Sequence, residues 1–351
     1  LRFNITPNAS NETTNRYATV RVSAKNSGGC IFRISQYSPF ETKARKVLAR
    51  FYEEMDGDNW PNNENWCTDA ALMDWYGQPR YDENGNIYIE RDLQGISGVL
   101  TTEAVDGVYW IDLEGNNITA VDIDGVESLR ALYLDGTTAK DISVKDCVNL
   151  EWFNFSASTE NLELSNCGIT EMWMDVRDDP NLYYDDRMLS AIDINNCNSL
   201  TSIALYAPHM TKASVTNCAT LESVDLRPSM SHYDDKPNGL LSAITIEECP
   251  KLESLTLSKN SFTNFDLSKI LALKNFNGSY NKFTTIDVSK NTNLETLNLA
   301  ANPSITSIDV SRNLALKSLQ LFGLPNIATL DVSGLTQLEE LWIGANASSV
   351  F

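Results

Sequence analysis

The sequence predicts a quasi-one-dimensional solenoid of short parallel strands, wound from units of 21 or 22 residues behind a helical N-terminal cap. Three observations predict it. An apolar-x-apolar triplet returns about every 10 or 11 residues from Ile111 to Ile343. A small polar or sulfur residue, Asn or Cys, recurs three positions after many triplets. The apolar period switches to three and four over residues 41–55, ahead of the first triplet.

The first segment, 1–38, reads as strands. Tyr17 to Ala24 alternates at period two, Asn26-Ser27-Gly28-Gly29 turns, and Cys30 to Gln36 alternates back, which specifies a hairpin. Leu1 to Thr6 could supply one more strand. Three strands are few for an independent sandwich. Either they lean on the remaining chain or the other strands lie upstream of Leu1. The chain opens with no starting Met and no signal peptide, as a processed or trimmed chain would.

The second segment, 39–100, is a capping region. Ala44, Val47, Leu48, Phe51, Tyr52 and Met55 form one helical face, stopped at Gly57. An aromatic, polar loop follows with Trp60, Trp66 and Trp75, and then a short hairpin around Glu83-Asn84-Gly85-Asn86. The first hydrophobic layer of a solenoid has no neighbour to cover it, so the three tryptophans are expected in the cap core.

The third segment, 101–351, is the solenoid, and its period lies in the range of leucine-rich repeats. Triplet ends point inward and triplet middles face solvent. The position three residues on is Asn at 116, 260, 281, 291, 302, 313 and 346, and Cys at 147, 167, 197, 218 and 249. A buried Asn there satisfies backbone groups that a tight coil leaves unpaired, and Cys is small enough for the same slot. Stacking therefore accounts for five of the seven cysteines without a disulfide. The rhythm lapses twice, at 175–189 and 227–241. Both stretches carry Tyr-Asp-Asp (Tyr184-Asp185-Asp186 and Tyr233-Asp234-Asp235) and return through Leu-Ser-Ala-Ile, so both read as inserts on one face.

The triplets sort into two phases. One starts at 121, 142, 192, 213, 244, 265, 286, 308 and 330, with Asp or Ser commonest in the middle, and reads as a bland solvated row. The other starts at 111, 132, 153, 203, 224, 255, 276, 297, 319 and 341. Its varied middles, from Asp112, Tyr133 and Asn154 to Trp342, mark it as the expected principal sheet. Trp110, Tyr133, Trp152 and Tyr206, bordered by Asn154, are read as an exposed aromatic lane, with mutual packing as the competing explanation.

With 27 basic and 47 acidic residues, the chain carries a formal charge of −20. No basic stripe suits nucleic acid, and anionic lipid is disfavoured. No apolar run of about 18 residues exists, so no transmembrane segment is expected. A glycosidase would need two carboxylates facing each other across a cleft, and a Ser–His–Asp constellation would need His209 or His232 beside a nucleophile. Neither is marked, so no enzyme is expected, nor a structural zinc site, nor any cofactor. Asp82-Glu83-Asn84-Gly85-Asn86 lacks the calcium-loop register, with Leu93 at the twelfth position, and reads as a turn. The acids of the inserts read first as solvated carboxylates. Calcium held between them is the second reading.

Residues 101–351 resemble the irregular leucine-rich repeats of secreted Bacteroidetes proteins. The resemblance rests on Leu252-Glu253-Ser254-Leu255-Thr256-Leu257-Ser258-Lys259-Asn260, Thr285-Ile286-Asp287-Val288-Ser289-Lys290-Asn291 and Ser307-Ile308-Asp309-Val310-Ser311-Arg312-Asn313. Residues 41–98 resemble the cap of plant-type repeats through Asp56-Gly57-Asp58-Asn59-Trp60, Trp75-Tyr76-Gly77 and Leu93-Gln94-Gly95-Ile96-Ser97-Gly98. Residues 1–37 resemble the closing strands of an immunoglobulin-like domain, the Bacteroidetes-associated carbohydrate-binding often N-terminal domain, through Asn15 to Val22 and Ile34-Ser35-Gln36. These resemblances imply an extracellular or outer-membrane surface location, with lipid anchoring upstream of Leu1. The expected function is a non-catalytic recognition module binding another protein through the repeat sheet and inserts. The alternative is a glycan-binding component of polysaccharide capture or adhesion. The partner would sit on a host, bacterial or dietary surface.

Overall fold

The structure, a computed structural model, describes residues 16–22, 30–36, 39–77, 80–90, 93–104, 107–173, 187–228 and 239–344. Within them the N-terminal strands Arg16–Val22 and Cys30–Gln36 pair antiparallel from Arg16↔Gln36 to Val22↔Cys30, as a sheet of their own. The helix Pro39–Glu54 follows, burying Ala44, Val47, Leu48 and Phe51 along one face. Its end differs from the expected glycine stop. The left-handed residue is Asp56, at φ 56°. Gly57 is needed for space instead, because a Cβ there would lie 2.2 Å from the Tyr52 ring.

That ring is the centre of the cap. Tyr52 stacks on Trp66 at 5.6 Å and meets Trp60 edge-on at 5.1 Å, and Trp66 touches Trp75 at 5.3 Å. All three tryptophans are buried. Trp60 Nε1 donates to Met55 O at 2.9 Å and Trp66 Nε1 to Tyr76 O at 3.0 Å, so these two indoles bring their polar edges to partners, whereas the Trp75 Nε1 is buried without one among the described residues. The turn at Asp82 closes the hairpin of Arg80–Tyr81 with Ile87–Ile89. Asp82 accepts from the Asn84 and Asn86 N–H groups, both at 2.8 Å. Burial opposes its charge, but the Asn86 and Asn84 hydrogen bonds outweigh burial and hold the carboxyl below its ordinary value. Its oxygens are thus engaged in the turn.

The cap contributes strands to both walls of the solenoid. Ile87–Ile89 pairs parallel with Val108–Asp112, and Ser97–Glu103 pairs parallel with Asn117–Asp124. The boundary expected at residue 100 therefore falls inside a strand. At that end the outermost strands are Arg80–Tyr81 and Ser97–Glu103, and the Pro39–Glu54 helix lies against the second, with the Arg50 guanidinium donating to Glu103 O.

Three solenoid sheets are present among the described residues. Ile87–Ile89, Val108–Asp112, Ala131–Leu134 and Trp152–Phe155 run parallel in a five-stranded sheet that ends antiparallel on Arg80–Tyr81. A seven-stranded parallel sheet runs through Ser97–Glu103, Asn117–Asp124, Asp141–Lys145, Asn161–Ser165, Ala191–Asn195, Lys212–Thr216 and Ile244–Glu247. An eight-stranded parallel sheet runs from Glu171–Trp173 and Ser202–Ala204 through Ser223–Asp225 to Glu340–Gly344. One apolar core extends between the walls from Ala44 to Leu335.

This arrangement corrects the sequence reading in three ways. The phase expected to form one principal sheet is split between the five- and eight-stranded sheets, while the first five triplets of the row read as bland lie in the seven-stranded sheet. Leu162-Glu163-Leu164 and Met172-Trp173, missing from the two rows, supply strand positions in the gap between 153 and 192. The second row stops being strand after Glu247. Asp266, Asp287, Asp309 and Asp331 accept the N–H of Ser268, Ser289, Ser311 and Ser333 at 2.8–2.9 Å. Such Asx turns compete with a ladder for the backbone, and they win here. The inward burial of Leu267, Val288 and Val310 survives the change.

The small-residue position behaves as read. Asn281 Nδ2 donates to Leu257 O at 2.9 Å, and Asn302 Nδ2 donates to Gly278 O at 3.0 Å, each one coil back. Cys147, Cys167, Cys197, Cys218 and Cys249 are buried free thiols aimed at carbonyls, as in Cys167 Sγ to Val144 O at 3.3 Å. Burial pushes the Cys147 thiol up to about 12. The residue just before the slot is left-handed in coil after coil, including Asp146, Asn166, Asn196, Asn217, Lys259, Tyr280 and Ala301. Asn346 lies outside the described residues. The degenerate triplet Phe276-Asn277-Gly278 is a space solution. Phe276 is buried in the core, and a Cβ on Gly278 would come within 2.9 Å of Phe283.

Candidate ligand-binding groove

The aromatic lane divides. Trp110 and Tyr133 lie on the five-stranded sheet with ring centroids 5.5 Å apart and planes tilted by 59°, both half-buried. Tyr88 adds a third ring 6.0 Å from Trp110. Burial, then the nearby Asp112 charge, raises the Tyr133 hydroxyl above its ordinary value. Asn154 is committed to the fold, since its Oδ1 accepts the Leu134 N–H at 2.8 Å. Trp152 stands apart, paired in register with Ala131, not with a ring, and is 48 % exposed.

Tyr206 is the correction. It follows a strand of the eight-stranded sheet and is buried, not exposed. Its ring is covered by the Arg227 guanidinium at 5.6 Å, and Arg227 is fixed by Asp225 at 2.7 Å. An aromatic ring and a neutralised guanidinium shield each other from water, so burial is the favourable outcome. Tyr184, Asp185, Asp186, Tyr233, Asp234 and Asp235 lie outside the described residues. Where the chain returns, Met188 N donates to Ala157 O and Gly239 N to Lys259 O, so both inserts close onto ordinary coil positions.

A groove lies elsewhere, on the seven-stranded sheet. It has a volume of about 910 Å³ and crosses six strands, from Asn117–Asp124 to Ile244–Glu247. Strand register stacks its walls into two outward columns. One is Ala120, Asp141, Asn161, Ala191 and Lys212, and the other is Asp122, Ser143, Glu163, Asp193, Ser214 and Thr245. Small side chains at Ala120 and Ala191 keep the first column low. Apolar flanks of Val121, Ile142, Leu162 and Ile192 underlie both.

The charges within the groove are unevenly occupied. Lys145 pairs with Glu163 at 3.0 Å, and Glu163 holds the Lys145 ammonium above the usual lysine range despite some burial. Glu163 also accepts from Ser143 Oγ at 3.3 Å, and Asp141 from Asn161 Nδ2 at 2.7 Å. Asp122 and Asp193 face outward, and no described side chain hydrogen-bonds to either carboxylate. Sequence reasoning passed over this site because constant Asp and Ser middles look like solvated filler. The available signal was an alanine two residues before three of those middles, at Ala120, Ala191 and Ala243.

Among the described residues, no helix is long and apolar enough to cross a membrane, and no three His, Cys, Asp or Glu side chains converge as metal ligands.

No protein-family model and no curated protein matches the chain. Solved leucine-rich repeat structures do. The functional domain of InlJ from Listeria monocytogenes, described as including a cysteine ladder, is 18 % identical over 84 % of this chain and 71 % of its own, with a TM-score of 0.36. An internalin, InlF, from the same organism is 14 % identical over 73 % of this chain and 89 % of its own, with a TM-score of 0.29. The leucine-rich repeat ectodomain of the Arabidopsis thaliana receptor kinase GASSHO1/SCHENGEN3 is 13 % identical over 86 % of this chain and 55 % of its own, with a TM-score of 0.21. At these values the functional reading rests on the chain's own geometry, that of a parallel-strand leucine-rich repeat solenoid.

Proposed function

We propose that the chain is a non-catalytic recognition module that binds an extended segment of another protein in the groove of the seven-stranded sheet. The groove itself carries this reading. Its six strands, at about 4.8 Å spacing, give a track of about 24 Å, the length of about seven extended residues. Its mixture of apolar flank, small floor and fixed polar groups is what a polypeptide with alternating side chains needs. An extracellular or outer-membrane surface location, from the resemblance of the repeat wording, belongs to the same proposal.

The exposed Trp152 favours a second reading, a sugar stacking on a single ring. Trp110 and Tyr133 do not extend that platform, because their rings are tilted and half-buried. A surface-display peptide library and a glycan array on the full chain separate the two. Ser214→Trp, which fills the groove, should abolish peptide capture and leave any glycan signal intact. Trp152→Ala should do the reverse. Peptide capture that survives Ser214→Trp sinks the groove reading, and a blank array of host and dietary polysaccharides sinks the glycan one.

A further inference from the structure

We infer that the groove selects a cationic extended polypeptide with two basic side chains four residues apart. This rests on the groove reading above and adds the chemistry of its occupant. The carboxylates left without a hydrogen-bonding side chain, Asp122 and Asp193, share one outward column. Register places Ser143 and Glu163 between them, so they are three strands apart. At about 4.8 Å per strand that is about 14 Å along the track. An extended peptide advances about 3.4 Å per residue and returns a side chain to the same face at every second one. Residues i and i+4 therefore fall about 14 Å apart on one face and reach both carboxylates together.

The column between them is neutralised from within. Lys145 satisfies Glu163, so a third basic residue at i+2 meets a compensated charge. A chain with net charge −20 adds a long-range field of the same sign, which draws a basic partner and repels an acidic one. Residues at i+1 and i+3 of such a peptide point away from the sheet, so the groove leaves their chemistry open.

The test uses the full chain and three nine-residue peptide libraries, randomised except for two fixed lysines at i and i+4, two at i and i+2, or two glutamates at i and i+4. The i,i+4 lysine library should be retained about tenfold better than either control, equivalent to about 1.4 kcal/mol. Asp122→Asn with Asp193→Asn keeps the shape and should erase that preference, as should about 1 M salt, where the screening length falls to about 3 Å. Equal retention of the i,i+2 library, or a preference untouched by the double substitution, overturns the inference. If peptides are retained without spacing preference and Ser214→Trp still releases them, the charge-spacing rule falls while the groove reading stands. If no library is retained, both fall.

Discussion

Asn281 and Phe262 join consecutive coils, with Asn281 Oδ1 accepting the Phe262 N–H at 3.0 Å. The same side chain donates backwards to Leu257 O at 2.9 Å. Asn281→Ala would bury a donor and an acceptor without partners, at about 1–3 kcal/mol each. We expect about 3 kcal/mol of destabilisation in chemical denaturation. Asn281→Cys restores a small weak donor but no acceptor for Phe262, and should cost less than Ala. Equal losses for the two variants would contradict the slot's hydrogen-bonding role.

Adjacent alanines should respond oppositely to glycine. Ala301 is left-handed, at φ 54°, where a Cβ is unfavourable. Ala301→Gly should stabilise by about 0.5–1 kcal/mol, after the entropy gained by the unfolded glycine is subtracted. Ala300 is fully buried. Ala300→Gly removes a packed methyl and should destabilise by about 1 kcal/mol. The pair is read by thermal unfolding.

Thiol chemistry should separate Cys67 from the stack. In a Cys30→Ser background, the native chain should take up a maleimide at Cys67, which is exposed. Reaction should be slow at neutral pH, because burial first and then Glu53 and Asp58 raise that thiol. The five stacked cysteines should label only after unfolding. Native labelling at more than one site, resolved by mass spectrometry, would contradict the buried ladder.

The C-terminal Asx turns set an acid limb. Hydrogen bonds from the side chains and backbone of Ser268, Ser289, Ser311 and Ser333 lower the carboxyls of Asp266, Asp287, Asp309 and Asp331. A lowered folded value means the stabilisation is complete above the unfolded value of about 3.9 and fades as pH falls through the folded one. Asn at all four positions keeps the acceptor without the titration. The quadruple variant should unfold with a flatter pH dependence below about pH 4, followed by circular dichroism. An unchanged acid limb would remove these turns as its source.

The fold was legible because its determinants are local and periodic. Triplet spacing located the inward residues of both rows, even at Ile308 and Val310, where no strand forms. Strand itself was less legible, since Asp287 or Asp309 on a triplet middle and Asp122 on another look alike in sequence. The difference is the serine two residues on, which captures the first two in turns and has no counterpart at Asp124. The groove was hidden because it belongs to register. Asp122 and Asp193 are 71 positions apart in sequence and share a column only after the coils between them stack. Tyr206 misled because its cover, Arg227, comes from the next coil.

The two walls change over at different points. The five-stranded sheet ends at Trp152–Phe155, the seven-stranded sheet runs on to Ile244–Glu247, and the eight-stranded sheet has already begun at Glu171–Trp173. They are spliced with overlap, as planks are in a scarf joint. At each change of wall, backbone pairing continues on the opposite side among the described residues. A local opening at one seam is thereby held closed by the intact wall across from it.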